Sequence, residues 1–171
     1  MSAARFRVPT LTQQQLLTLV EVRLLGDDEA ERSRFRDLMS THHYLKSATL
    51  VGEQLRYVAH VGGQWVALLS WSAAAYHLKD REAWIGWDTQ QRRRRLALLA
   101  NNARFLILPG IDSPNLASRV LALCTARLSA DWQETYTHPI GALLFTKSDT
   151  PASVCPKSAA RSSSRLRVGM I

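Results

Sequence analysis

The chain has 171 residues, with 22 Lys plus Arg against 14 Asp plus Glu and a formal net charge of +8. Hydrophobic residues make up 46% and charged residues 21%, which suits one globular domain with its own core and excludes wholesale disorder. Cys124 and Cys155 are the only cysteines, too few for a disulfide framework, and the surplus of base makes a polyanion the partner to look for.

Residues 1–10 read as a basic, loose arm. Thr12 and Gln15 stand at capping-box spacing, and Leu16, Leu17, Val20 and Leu24 recur at helical intervals up to Gly26. A second helix opens at Asp28, carries Phe35, Leu38 and Met39 on one edge, and ends near Thr41–Tyr44. Leu55–Val61 and Gln64–Ser72 flank Gly62-Gly63, the pattern of a tight β-hairpin. Ala73–Asp80 reads as an extension of that strand or a loop, and Ala83–Trp87 as a short strand or turn. Asp88 or Thr89 caps a helix that runs through Arg92–Arg95, turns Leu96, Leu99 and Ala100 inward and ends at Asn101-Asn102. Arg104–Leu108 has the continuous apolar character of a strand buried on both faces. Ser113-Pro114 opens a helix with Leu116, Val120, Leu123 and Cys124 on one face, running to about Trp132, and Ile140–Phe145 is a last strand. The order predicts an α/β (α+β) fold: a mixed, mainly antiparallel sheet with packed helices and a parallel final crossover. Residues 148–171 hold six Ser, no aromatic residue and +3 of the net charge, and read as a disordered tail.

No apolar leader precedes the domain, and the longest apolar runs, such as Trp65–Trp71, fall far short of the roughly 20 residues of a membrane helix. The expectation is a cytoplasmic protein without a membrane partner. No nucleotide fingerprint or metal-ligand spacing occurs, so no cofactor and no metal are expected.

Three clusters carry chemistry. Arg92, Arg93, Arg94 and Arg95 form an unbroken basic run, with Arg104 beyond it and no acid from Thr89 to Arg104. Guanidinium groups match phosphate geometry, so these five form the candidate nucleic-acid surface, for DNA or RNA. Gly110–Asn115 joins a strand to a helix N-terminus, where Asn115, Ser118 and Arg119 are candidate anion or ligand contacts. In Lys79-Asp80-Arg81-Glu82, beside Trp84 and Trp87, Asp80 and Glu82 are candidates for acid–base chemistry, with a charged loop over a Trp-lined core as the plain alternative.

The ordered blocks Leu78-Lys79-Asp80-Arg81-Glu82-Ala83-Trp84-Ile85-Gly86-Trp87, Asn101-Asn102-Ala103-Arg104-Phe105-Leu106-Ile107-Leu108-Pro109, Asn115-Leu116-Ala117-Ser118-Arg119-Val120-Leu121 and Leu128-Ser129-Ala130-Asp131-Trp132 resemble the DruA-like family over residues 10–144. The resemblance implies a bacterial setting in Druantia anti-phage defence or beside transposases, with other defence-system or transposase proteins as partners. It carries over no catalytic residue. The element order also resembles a divergent GNAT-like acyltransferase core without its C-terminal elements, although the Gly110–Asn115 turn lacks the glycines of that family's pyrophosphate loop. Beyond Phe145 the Ser-rich, basic sequence departs from the DruA-like pattern. The expectation is therefore an incomplete domain over residues 11–147 in a truncated or frame-shifted copy, with one sheet edge or face uncovered; an inactive copy is an alternative to the functional reading.

Overall fold

The Thr12 capping box forms: the Thr12 hydroxyl accepts from the Gln15 N–H at 3.3 Å, and the Gln15 side chain accepts from the Thr12 N–H at 2.9 Å. It starts α1 (Gln13–Leu19) in a computed structural model that describes residues 11–145 and 167–170. The basic arm lies outside the described residues. So does the Ser-rich tail, apart from 167–170.

Helix α1 stops five residues before the expected Leu24. Glu21–Leu24 is instead strand β1, antiparallel to β2 (Gln54–Val61). Val20 and Leu24 fit a helical period and Val22 and Leu24 a strand period, so four residues do not separate the two. The open backbone of β2 decides, and the ladder continues as Leu25 N–H donates to the Arg56 carbonyl at 2.8 Å. Helix α2 (Glu29–His42) starts at the Asp28 cap and buries Phe35 and Met39. Strands β2 and β3 (Gln64–Ala73) form the expected hairpin, with φ of 55° at Gly62 and 80° at Gly63, the left-handed pair that a two-residue turn needs.

The next elements correct the sequence reading twice. Lys79–Ile85, expected as loop or strand, is helix α3, closed by Gly86 in the left-handed region. Helix α4 (Thr89–Arg95) is capped by Asp88, one of the two residues expected there, but ends six residues before Asn101; after the 3-10 turn Leu96–Leu98 the chain enters β4 (Leu99–Ile107). Leu99 and Ala100 pack into different apolar clusters, on opposite faces of the sheet, as consecutive strand residues must. Helix α5 (Leu116–Tyr136) starts two residues after Pro114, behind Asn115 at a φ of 65°, and runs one turn past Trp132. It crosses to β5 (Ala142–Phe145), which lies parallel to β4. Arg167–Met170, in the segment expected to stay unstructured, is strand β6 and pairs antiparallel with β5 at the end of the sheet.

The six strands lie in the order β1-β2-β3-β4-β5-β6, a mixed and mostly antiparallel sheet as expected. Helices pack on both faces. On one face α1 and α5 cover Leu55, Tyr57, Leu69, Trp71 and Ala100, with the α5 stripe Leu116, Val120, Cys124, Leu128 and Trp132 fully buried. On the other face α2 covers Val58, Leu68 and Leu106, and Ile85 of α3, Trp87 and Leu96 of the 3-10 turn pack against the cluster of Leu99 and Leu144. An ionic latch fixes α5: Arg127 pairs with Asp131 at 2.7 Å, and Asp131 accepts the Tyr57 hydroxyl at 2.8 Å. Burial and that hydrogen bond push the Tyr57 phenol far above its ordinary range.

Cys124 is a core residue. The Trp71 indole donates to its sulfur at 3.3 Å, and burial pushes the thiol up to about 12. Iodoacetamide at about pH 8 should therefore leave Cys124 unmodified in the folded protein and alkylate it after denaturation, read by peptide mass spectrometry. Alkylation at equal rates in both states would contradict this packing. Among the described residues, no helix is long and apolar enough to cross a membrane.

Candidate functional site

Helices α3 and α4 meet at a clasp that determines which arginines face outward. Arg81 is 1% exposed; its guanidinium donates to the carbonyls of Ala75 at 2.5 Å and Tyr76 at 3.1 Å, pinning the loop before α3 to its own helix. Glu82 accepts from Arg92 at 3.0 Å and lies 3.6 Å from Arg81 and 3.7 Å from His77. Burial pushes the Glu82 carboxyl up, but the Leu78 N–H, Arg92 and His77 outweigh it and hold the group below its ordinary value. The Glu82 carboxylate, one of the two acid–base candidates, is thus engaged as an ion-pair hub. The other, Asp80, is on α3 by its backbone, and its side chain lies outside the described residues.

The Arg run divides by helix geometry. Arg92 is 12% exposed, paired with Glu82 and stacked over the Tyr76 ring at 5.0 Å. Arg93, Arg94 and Arg95 are exposed, and none of them has a carboxylate within 4.0 Å among the described residues. Arg93 reaches only the Tyr76 hydroxyl, at 3.4 Å. Tyr76 is itself 45% exposed, and its phenol is held below the ordinary value by its bonds to Arg93 and Arg92. Arg93 thus keeps only a phenol partner among the described residues, next to an exposed aromatic ring, and Arg94 and Arg95 stand exposed on the same helix.

Arg104 does not join this surface through any described contact. It is half-buried on β4, where Nε donates to the Ser47 carbonyl at 3.0 Å and a second nitrogen to the Ala103 carbonyl at 2.6 Å. At the start of α5, Ser118 and Arg119 are exposed, and the Arg119 guanidinium donates to the Leu17 carbonyl at 3.2 Å, tying α5 to α1. The Asn115 side chain makes no capping bond.

A second polar group lies inside the sheet, and sequence reasoning reached only its Asn101–Arg104 part. Ser70, Asn101 and Asn102 each have a buried side-chain atom without a partner, and so do His43 and Arg56. Asn101, Asn102 and Arg104 stand in one of the blocks that carry the family resemblance, which was the available signal; Arg56 and Ser70 looked like ordinary strand residues.

The family model described as Druantia protein DruA matches residues 9–154. The chain belongs to the DruA family. It is thereby a Druantia anti-phage system protein, and the match runs past residue 144, where the ordered blocks end. Both the α3–α4 clasp and the polar strand residues of β4 fall within the DruA match. No curated protein matches the chain.

Proposed function

We propose that this DruA family protein binds nucleic acid, DNA or RNA, through the outer face of α4. One observation carries the reading: Arg93, Arg94 and Arg95 are exposed on a helix whose fourth arginine, Arg92, is locked inward by Glu82, so among the described residues three cations stand free of acid partners. A structural role would pair them, and cations so placed neutralise phosphates and release counterions. Tyr76 adds a ring on which a base can stack. An acyl-transfer reading through Gly110–Asn115 has less support, because Arg119 is engaged with Leu17 and Asn115 contributes no side-chain bond there.

Fluorescence anisotropy with a labelled single-stranded oligonucleotide tests the reading. The log of the observed binding constant should fall linearly with log salt, with a slope of about −2, three single-strand phosphate contacts' worth. Absent binding, or binding indifferent to salt, would overturn it.

A further inference from the structure

On the sheet face that carries α2, one rung is polar where its neighbour is apolar. Arg56 on β2 stands opposite Ser70 on β3, which stands opposite Arg104 on β4. The next rung toward the hairpin, Val58, Leu68 and Leu106, packs with Phe35 and Met39. The rung on the other side, Gln54, Ser72 and Asn101, is polar again. The apolar cluster under α2 thus takes in one rung and none of the polar side chains of the next two.

Single buried atoms of these two rungs are left without partners among the described residues. Ser70 is fully buried with no partner for its hydroxyl, and Arg56 Nε and Asn101 Oδ1 have none either. His43, at the C-terminus of α2, is 3% exposed; its Nδ1 accepts from the Leu45 N–H at 3.2 Å and its Nε2 is unpartnered. A neutral imidazole whose Nδ1 accepts carries its proton on Nε2, so Nε2 is a donor in search of an acceptor. Burial and then the charge of Arg104 hold His43 below its ordinary value.

Neither arginine has a carboxylate within 4.0 Å among the described residues. Arg56 reaches only the Gln54 amide oxygen, at 2.9 Å, and Arg104 only backbone carbonyls. Burial, Arg32 and Arg36 all press the Arg56 guanidinium toward deprotonation. Two half-buried cations and two buried donors with no anion to receive them oppose folding, unless an anion arrives. Strands two apart are about 10 Å from one another, a gap that a tetrahedral oxyanion between two guanidiniums can fill.

We propose that Arg56, Ser70 and Arg104, together with the unpartnered Nε2 of His43, form a binding site for a phosphate monoester, carried either by a small phosphorylated molecule or by the end of a nucleic acid. The site is separate from α4 and does not rest on its role.

NMR on the full chain tests it, with inorganic phosphate, a 5′-phosphorylated oligonucleotide and the same oligonucleotide without that phosphate as probes. The His43 ring signals and the Ser70 amide should move saturably with a phosphate-bearing probe. Arg104→Gln should weaken that response about tenfold, and Ser70→Ala, which disturbs the fold less, should weaken it severalfold. The variant with Arg93, Arg94 and Arg95 changed to Gln should keep the response to inorganic phosphate. Movement with inorganic phosphate supports the site with a small-molecule source; movement only with the 5′-phosphorylated oligonucleotide supports it with a nucleic-acid end. The site is overturned by stationary His43 signals with all three probes, by an equal response to the unphosphorylated oligonucleotide, or by a response unchanged in both single variants.

Discussion

Changing Arg93, Arg94 and Arg95 together to Gln should lower affinity for a single-stranded oligonucleotide about a hundredfold near physiological salt, at about 1 kcal/mol for each lost charge-assisted contact. The slope of log affinity against log salt should move toward zero by about two units in the same variant, since each lost phosphate contact removes about 0.7. These side chains are exposed and make no ion pair among the described residues, so the melting temperature should hardly change. Arg92→Gln should behave in the opposite way. It removes the 3.0 Å pair to Glu82 and the stack on Tyr76, so it should loosen the α3–α4 clasp and leave the salt slope in place. A triple variant that binds like the wild type, at every salt concentration, would remove α4 from the interface.

The division between Arg92 and its three neighbours could not be read from four identical letters. Four consecutive residues point around a helix, and which one turns inward depends on where Glu82 and Tyr76 sit, on another helix and in the loop before it. The Asp88 capping box, the Gly62-Gly63 turn and the α5 stripe were legible because each is fixed by residues within a few positions of one another. Elements fixed from elsewhere in the chain were not. Strand β1 exists because β2 offers it a free edge, and Leu99–Asn102 is strand because β3 and β5 pair with it on either side. Helix α3 is seven residues long with no side-chain cap, so its local signal was weak; the buried Arg81 that holds it reads in sequence as one more surface charge.

The same reasoning applies to the polar rung. Arg56, Ser70 and Arg104 are 14 and 34 residues apart in sequence and become neighbours only through the register of three strands, including the irregularity after Ser70 that puts Asn102 opposite Trp71. Asn102 therefore faces the α5 side, while Arg104 and Asn101 face the α2 side. The adjacent polar residues Asn101, Asn102 and Arg104 are thus divided between the two faces of the sheet.

Trp132→Ala should cost the largest amount of stability of any substitution considered, about 3–5 kcal/mol, because it empties a large, fully buried site under α5. In a domain of this size that is a fall of roughly 10 °C or more in melting temperature, measured by circular dichroism or calorimetry. The indole makes a tilted ring contact with Tyr136 at 5.2 Å, and Tyr136 in turn exchanges hydrogen bonds of 2.9 Å with the backbone N–H and carbonyl of Gln54. The void would thus loosen the attachment of α5 to β2 as well as the core. Trp132→Phe separates ring volume from the polar handle. The indole N–H has no partner, so its removal sacrifices no hydrogen bond and relieves a buried unpaired donor. Phe should therefore recover more than half of the loss seen with Ala. An Ala variant within about 1 kcal/mol of the wild type would mean that α5 does not pack on the sheet through this face.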